Sequence, residues 1–369
     1  MSRSTTTSHW IQGFAGTGKT LLLVHAIERV AAEQPRASLC FITFTHALKD
    51  LVATGFNEKV ARRLKILTHT QFLKDRVTYD HVFLDEVQDI SAADLQAIRG
   101  LSRNLQIAGD PDQRIYGAGA KESDITRIVR PTLHQLVEIF RLTRSLREVA
   151  LAIFPRARLV EGNQATSSRE VTIRMAHFAD PPSEAAWVFA EARDRARPHD
   201  PSAILLSTHD AIFSFACNVA YNLNCAAPPR PRRNFGTGTS GLDYTPFNDH
   251  WKALNIPLMY VGGGCGSFSD SDTKPLVYLM TYHSAKGLDF KNVFLPQVNE
   301  DLWLGNKKEL EADPELERRL MFVAVTRSRE NLFISYTSGR PHRLMEKLPS
   351  GVVRKFQPTR GDKQEQEFF

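Results

Sequence analysis

The sequence has few cysteines and no long apolar run. None of the cysteines forms a C-x-x-C pair or completes a zinc set with a histidine pair, so we expect reduced thiols at Cys40, Cys217, Cys225 and Cys265. No apolar run approaches the ~18 residues of a transmembrane helix. Residues 1–8 are polar and lack the apolar core of a secretory signal. These absences predict a cytoplasmic protein with no membrane partner.

The 369 residues have the composition of a soluble globular protein, with 42% hydrophobic and 24% charged residues. At ~150 residues per domain, this length corresponds to two or three domains. Lysine and arginine outnumber aspartate and glutamate by 47 to 41. The resulting net charge of +6 is compatible with a polyanionic partner but does not by itself identify one.

Strand-like and helical patterns alternate along the chain, which predicts an α/β fold with mostly parallel sheets covered by helices. The first group comprises strands 9–14, 38–44, 81–85 and 104–109 and helices 19–32, 47–56 and 92–101. The second comprises strands 170–175, 203–206, 258–261, 277–281, 293–296 and 332–336 and helices 184–197 and 314–325. Residues 226–248 are rich in Pro, Arg, Gly and Thr and are predicted to form a loop, either a phosphate contact or a solvated connector.

Residues 13–20, Gly-Phe-Ala-Gly-Thr-Gly-Lys-Thr, match the phosphate-binding pattern G-x-x-x-x-G-K-[ST]. They follow a predicted strand and open a predicted helix, which is the context that this loop requires. The glycines let backbone N–H groups surround phosphate oxygens, while Lys19 would reach the β- and γ-phosphates and Thr20 would bind Mg²⁺. The predicted nucleotide-binding residues are Gly13, Ala15, Gly16, Thr17, Gly18, Lys19, Thr20 and Leu21.

Two adjacent carboxylates, Asp85 and Glu86, follow the apolar run 82–84. The carboxyl ends of parallel strands meet at the crevice where the phosphate loop also lies. Asp85 would hold Mg²⁺, usually through a water, and Glu86 would accept the proton of the attacking water. An Asp-Glu pair after a strand is common on protein surfaces, but its combination with the phosphate loop favours nucleotide hydrolysis.

The spelling Asp-Glu-Val-Gln-Asp at residues 85–89 resembles the second motif of superfamily 1A helicases, the UvrD/Rep/PcrA-like group. Six other segments resemble motifs of this family in the family's order. They are residues 43–47 (TFTHA), 68–72 (THTQF), 109–116 (GDPDQRIY), 144–149 (RSLREV), 281–290 (TYHSAKGLDF) and 318–327 (RRLMFVAVTR). Any one of these segments is a weak signal, whereas the ordered series is specific.

The resemblance implies two RecA-like P-loop NTPase lobes, at residues 1–130 and 131–355, followed by a mobile tail at 356–369. It also implies a 3′-5′ DNA helicase that hydrolyses ATP with Mg²⁺ in the cleft between the lobes. Single-stranded or tailed DNA would stimulate this activity, in DNA repair, recombination or mobile-element biology.

The resemblance further assigns roles to individual residues. Gln113 would couple the γ-phosphate to the cleft, and Arg144 and Arg327 would be second-lobe cations that stabilise the transferring phosphoryl group. Arg141 competes with Arg144, but only Arg144 has an aliphatic residue, Val149, at the family's offset. Gly287 and Asp289 would lie near the nucleotide, with Asp289 matching a ribose-binding glutamate. The residues matching strand contacts are Thr43, Thr45, His46, Thr68, Thr70, Tyr116, Thr281 and His283.

The chain departs from the family at the base contacts. Leu21 stands where an arginine often stacks on adenine, and Leu142-Thr143 stand before Arg144 where the family has an aromatic residue. Together these differences predict either that base selectivity is loose or that adenine is held in another way. Gly117-Ala118-Gly119 follow Tyr116 where the family often has an aromatic that stacks on the strand.

The family's large helical insertions are absent or reduced to residues 226–248. An alternative function is therefore a DNA-sensing ATPase switch that regulates a partner nuclease or another effector without efficient unwinding. A P-loop kinase or an ATPase unrelated to nucleic acid is a third possibility, but it does not explain residues 281–290 and 318–327.

Overall fold

A computed structural model describes residues 8–43, 56, 58–140, 142–164, 170–233, 241–302, 304–305, 307–356 and 358. Its two large sheets are parallel throughout their described pairings and are flanked by helices, which confirms the predicted α/β class. Among the described residues, no helix is both long and apolar enough to cross a membrane.

The first sheet has six strands. They are β1 (His9–Gly13), β2 (Leu39–Thr43), β3 (Leu64–Thr68), β4 (Tyr79–Leu84), β5 (Ser102–Gly109) and β6 (Thr132–Leu136), in the spatial order β3-β2-β4-β5-β1-β6. The helices of this lobe are α1 (Lys19–Glu33), α2 (Glu58–Ala61), α3 (His69–Asp75), α4 (Ala92–Gly100) and α5 (Glu122–Val129). Short 3₁₀ helices at Val87–Asp89 and Pro111–Gln113 follow β4 and β5 directly.

The second sheet has seven strands. Two minor strand pairs are β7 (Glu138–Ile139) with β8 (Asn163–Gln164) and β11 (Arg232–Arg233) with β12 (Leu242–Asp243). The main strands are β9 (Thr172–His177), β10 (Ser202–Leu206), β13 (Leu258–Tyr260), β14 (Val277–Thr281), β15 (Phe290–Leu295), β16 (Ser328–Tyr336) and β17 (Val353–Phe356). Their spatial order is β13-β14-β10-β15-β16-β9-β17.

The helices of the second lobe lie on both faces of this sheet. They are α6 (Arg144–Ile153), α7 (Pro181–Arg195), α8 (His209–Asn222), α9 (Thr245–Ala253), α10 (Lys307–Ala312) and α11 (Leu316–Val325). Further 3₁₀ helices occupy Arg158–Glu161 and Phe268–Asp272. β2, β10 and β14 are buried along their whole length, as expected for strands covered by helices on both faces.

The structure differs from the prediction at two places. Residues 132–136, which fall in the predicted second lobe, form β6, and this strand pairs with β1 of the first sheet, with Trp10 opposite Leu133. Residues 226–248 are not a simple loop, because β11 pairs with β12 and α9 begins at Thr245. Residues 234–240, most of the predicted helix 47–56 and most of the predicted tail 356–369 lie outside the described residues.

The core of the second lobe reaches the phosphate loop. Phe14 and Ala15 belong to the same buried apolar cluster as Ile139, Leu142 and Leu146. The loop between β1 and α1 is therefore packed against the start of the second lobe, in addition to its attachment to the first sheet. The nucleotide-binding elements consequently lie where the two lobes meet.

Candidate nucleotide site between the lobes

The phosphate loop is closed around its own lysine. Gly16 and Gly18 have φ values of 79° and 85°, in the left-handed region that glycine adopts without strain. A Cβ atom at Gly13 would lie 2.6 Å from Thr17 Oγ1, so a side chain there would collide with the loop. Lys19 Nζ donates to the carbonyl oxygens of Gly13 and Phe14, both at 2.9 Å. The loop thus holds a buried ammonium group, which suits it to anionic phosphates.

Thr20 and Asp85 meet at the carboxyl edge of the first sheet. The hydroxyl of Thr20 donates to Asp85 Oδ2 at 2.6 Å, and the backbone N–H of Glu86 donates to Asp85 Oδ1 at 2.9 Å. Complete burial, with the adjacent charge of Glu86, raises the pKa of Asp85 to about 6. A hydroxyl and a carboxylate are oxygen ligands that fit Mg²⁺. No cluster of three or more His, Cys, Asp or Glu side chains that could hold a metal occurs among the described residues, so a Mg²⁺ ion here would take its other ligands from phosphate oxygens and water.

Glu86 is held in a defined position beside this pair. Its backbone is left-handed, with φ 54°, and its carboxylate accepts a hydrogen bond from Gln88 Nε2. Gln88 in turn accepts from the backbone N–H of Asp110 at 3.1 Å, which links Glu86 to the end of β5. Burial acts to raise the pKa of Glu86, but the positive charges of Lys286 and Lys19 outweigh it and leave the pKa below its usual value. An ionised, fixed carboxylate is what a general base requires.

Arg327 and Gln113 bring the two lobes together. Arg327 is 1% exposed, and its Nη2 donates to Gln113 Oε1 at 3.3 Å across the lobe boundary. The rest of its guanidinium is anchored within the second lobe, by Nε to the carbonyl of Val323 at 2.8 Å and Nη1 to that of Leu288 at 3.1 Å. Gln113 is anchored in the first lobe through Asp110 Oδ2 at 2.7 Å. The predicted glutamine and one predicted arginine therefore share one site.

Lys286 is a site residue that sequence reasoning did not single out. Its ammonium group donates to the Asp89 carboxylate and to the backbone carbonyl of Gln113, and it lies 3.8 Å from Glu86 Oε2. The side chain is 2% exposed. The only available signal was its place in the segment 281–290, which does not reveal that the lysine enters the opposite lobe.

Arg144 lies at the start of α6 and is exposed. The Thr143 hydroxyl caps α6 by accepting from the Leu146 N–H at 3.3 Å, which places Arg144 on the first turn. Its Nε pairs with Glu148 at 3.2 Å on the same helix, and its side chain is 81% exposed. In this structure Arg144 therefore pairs on its own helix, and its predicted role as a cation at the phosphates stays a prediction. The competing residue, Arg141, lies outside the described residues.

Phe140 is a second missed residue. Its backbone N–H donates to the carbonyl of Gly16 in the phosphate loop at 3.1 Å, and its side chain remains 61% exposed. An aromatic residue is thus present beside the loop, although Leu142 and Thr143 stand directly before Arg144 where the family has one. Leu21, which was predicted to contact the nucleotide, is 59% exposed on the first turn of α1.

Gly287 and Asp289 flank the residue that anchors Arg327. Gly287 has φ 81°, and the carbonyl of Leu288 accepts from Arg327. The Asp289 carboxylate pairs with Arg329 at 3.3 Å. The predicted ribose contact of Asp289 stays a prediction.

Three of the threonines predicted to contact the DNA strand are buried at the ends of β-strands. Thr43 is fully buried at the end of β2, and its hydroxyl finds no hydrogen-bond partner in the described part of the chain. Thr68 caps α3 through the N–H of Gln71, and Thr281 accepts from the N–H of Ser284 at 3.0 Å. These three are therefore not exposed contact residues, because their position at strand ends gives their hydroxyls local or buried roles.

The remaining predicted strand contacts differ from these threonines. Thr70 is exposed on α3, whereas Thr45 and His46 lie outside the described residues. The rings of Tyr116 and His283 lie 5.3 Å apart, one from each lobe. Burial, with a smaller opposing effect of Glu309, lowers the pKa of His283 to about 4, so this imidazole is neutral at pH 7.

Family models match both halves of the chain. Residues 2–119 match an AAA domain, and residues 266–339 match the UvrD-like helicase C-terminal domain. The chain is 34% identical over 97 residues to the ATP-dependent DNA helicase PcrA of Staphylococcus aureus strain Mu50. It is 47% identical over 68 residues to the ATP-dependent DNA helicase Rep of Buchnera aphidicola. These matches support a UvrD/Rep/PcrA-like superfamily 1 helicase, to which the chain is similar in both halves.

The matched segments are short relative to these proteins. The alignment with PcrA covers 23% of this chain and 13% of PcrA, and that with Rep covers 18% and 10%. A solved structure of the arterivirus nonstructural protein 10 (helicase) aligns with this chain at 14% identity and a TM-score of 0.46, over 93% of this chain and 62% of the arterivirus chain. The resemblance to the UvrD-like group rests on the family models and the sequence relatives.

Proposed function

We propose that this UvrD-like protein is a DNA-stimulated motor ATPase that hydrolyses ATP between its two lobes. The observation that carries the proposal is the contact of Arg327 with Gln113. It is supported by the effect of the Arg327 and Lys19 charges on Glu86, because both lower the pKa of that carboxyl group. Phosphoryl transfer to water needs these parts on both sides of a triphosphate, since it is accelerated mainly by positioning and electrostatic stabilisation.

Each side chain has a distinct part in the proposed reaction. Lys19 and the loop N–H groups bind the phosphates, and Glu86 accepts the proton of the attacking water. Thr20 and Asp85 would hold Mg²⁺, which neutralises charge on the β- and γ-phosphates when it is bound with the nucleotide. Arg327 stabilises the charge that develops on the transferring phosphoryl group. Gln113 couples the γ-phosphate to both lobes, because it contacts Asp110 in the first lobe and Arg327 in the second.

The proposed partner is single-stranded or tailed DNA. Tyr116 and His283 form an aromatic pair with one ring from each lobe, so a strand that contacts both would respond to lobe movement. Aromatic side chains bind nucleotide bases by stacking, and the basic net charge favours a polyanion. The 3′-5′ direction is proposed from the family resemblance.

The decisive experiment measures ATP turnover with and without single-stranded DNA and strand displacement on duplexes with a 3′ or a 5′ tail. Stimulated turnover with displacement of the 3′-tailed duplex is the expected result. Stimulated turnover without displacement would favour the DNA-sensing switch. Turnover that no nucleic acid changes would overturn both assignments, and preference for the 5′ tail would overturn the direction.

Phe140 is proposed as a base contact of the nucleotide. The hydrogen bond from its backbone N–H to the Gly16 carbonyl fixes Phe140 beside the phosphate loop, and its exposed ring can stack on a base. Stacking on an aromatic face is tolerant of base identity, because every base has such a face. This arrangement agrees with loose base selectivity.

A further inference from the structure

The segment Gln113–Tyr116 belongs to the first lobe but is held by side chains of the second. Lys286 donates to the carbonyl of Gln113, and Arg319 Nε donates to the carbonyl of Arg114 at 2.6 Å. Arg327 reaches the side chain of the same Gln113. Three second-lobe cations therefore converge on two consecutive first-lobe residues.

A shared carboxylate strengthens this attachment. Asp313, just before α11, accepts from Arg114 Nη2 at 2.8 Å and also pairs with Arg319. Arg319 is 7% exposed and Arg114 is only partly exposed, so these contacts are largely shielded from water. Charge-assisted hydrogen bonds in a buried setting fix geometry more strongly than exposed ion pairs do.

In the first lobe, the Asp89 carboxylate holds both Lys286 and the segment Gln113–Tyr116. Asp89 follows the Asp85-Glu86 pair and receives Lys286 on one carboxylate oxygen, while its other oxygen accepts from the N–H of Ile115 at 3.4 Å. Lys286 thus bridges the carboxylate next to the proposed base and the segment that carries Gln113. The same segment ends at Tyr116, whose ring lies against His283, three positions from Lys286.

We propose that Lys286 and Arg319 are positioning residues that fasten the segment Gln113–Tyr116 to the second lobe. A displacement of the second lobe then moves the Gln113 side chain relative to the phosphate loop. This inference rests on the proposed function, since it describes how lobe position reaches the same ATP site. It assigns no contact with the nucleotide to either residue.

The test compares Lys286→Met and Arg319→Gln with the matched control Arg318→Gln in the full-length protein. Arg318 is the neighbour of Arg319, but its Nη1 donates to the carbonyl of Ile153 within the second lobe at 2.8 Å. We expect kcat for ATP to fall ~10-fold or more in the first two variants with KM within ~2-fold, because binding through the phosphate loop is untouched. The control is expected to keep kcat within ~2-fold of the unaltered protein.

Repeating the substitutions in a Gln113→Ala protein distinguishes an effect on the position of Gln113 from a general loss of activity. Arg319→Gln carries this comparison, because Lys286→Met also removes a charge that lowers the pKa of Glu86. If Arg319 acts through Gln113, its substitution should lower kcat by less than ~2-fold further in that background. Losses that multiply with that of Gln113→Ala would overturn the proposal. So would an unchanged kcat in both single variants, or an equal loss in Arg318→Gln.

Folding is controlled separately. Lys286→Met leaves the Asp89 carboxylate buried without its cation, so it is also made together with Asp89→Asn, and thermal unfolding is measured for every variant. A folded double variant with unaltered kcat would contradict the role of Lys286. Absence of DNA stimulation in the unaltered protein would contradict the proposed motor, whereas the turnover comparison without DNA would still decide this inference.

Discussion

Arg327 Nη2 and Gln113 Oε1 lie 3.3 Å apart although the two residues are 214 positions apart in the chain. The contact joins the end of α11 to the 3₁₀ helix after β5, and both side chains are almost fully buried. A nucleotide phosphate bound beside Lys19 would therefore lie next to a polar pair that belongs to both lobes. The catalytic consequences of this arrangement can be measured.

Substitution Arg327→Ala is expected to lower ATP turnover by ~10³-fold or more, the scale on which arginines stabilise phosphoryl transfer. It would also leave the buried carbonyl of Leu288 without its donor, at a cost of ~1–3 kcal/mol of unfolding free energy. Turnover assays and urea unfolding measure the two effects independently. Near-normal turnover in a folded Arg327→Ala protein would contradict the proposed closure of the lobes on the nucleotide.

Lys19→Ala and Glu86→Gln are expected to abolish turnover for different reasons. Lys19→Ala removes the phosphate-binding ammonium, so a fluorescent ATP analogue should bind more weakly. Glu86→Gln preserves the shape of the side chain but removes the base, so binding should stay within ~3-fold while turnover falls ~10²-fold or more. Equal loss of binding in both variants would argue against Glu86 as the base.

Phe140→Ala is expected to raise KM for ATP ~10-fold with little change in kcat, because base stacking contributes ~1–3 kcal/mol to binding. Leu133→Ala, an exposed apolar residue on β6, is the matched control and should leave KM unaltered. Phe140→Tyr should restore the affinity. A parallel comparison of ATP, GTP and CTP is expected to give kcat/KM values within ~10-fold, and a strong preference for ATP would refute loose base selectivity.

The buried imidazole of His283 predicts a pH effect on stability. Its pKa falls from 6.5 in the unfolded chain to about 4, chiefly through burial, so between these values the unfolded state binds more protons. His283 therefore lowers the free energy of unfolding as the pH falls from about 6.5 toward about 4, by at most ~1.4 kcal/mol per pH unit.

The measurement is urea unfolding of the unaltered protein and His283→Gln at pH 7.5, 6 and 5. Relative to the variant, the unaltered protein should lose ~1–2 kcal/mol between pH 7.5 and 5. Asp85 and Asp89, whose pKa values are raised to about 6 by burial, act in the opposite direction but are common to both proteins. A constant difference between the proteins at all three pH values would show that His283 is not buried as described.

Local pattern predicted the strands that carry the site. The segment 277–281 was predicted with the bounds that β14 has, and β1, β2 and β10 differ by one or two residues at their ends. β2, β10 and β14 are mostly apolar and buried along their whole length because helices cover both faces, so their signal is strong. β6 was missed because its exposed edge alternates Thr, Leu, His and Gln without an apolar run.

The sequence alone determined the chemistry of the first lobe, because the phosphate loop and the Asp85-Glu86 pair are each built from neighbouring residues. It also determined the order of the family segments, and through Arg327 one of the cations that meet that chemistry. Only the tertiary structure decided that Lys286 enters the first lobe, that Arg144 faces solvent, and that Phe140 lies beside Gly16. Those outcomes depend on how the two sheets pack against each other. Packing brings together residues that are far apart in the chain, and their spacing does not predict such contacts.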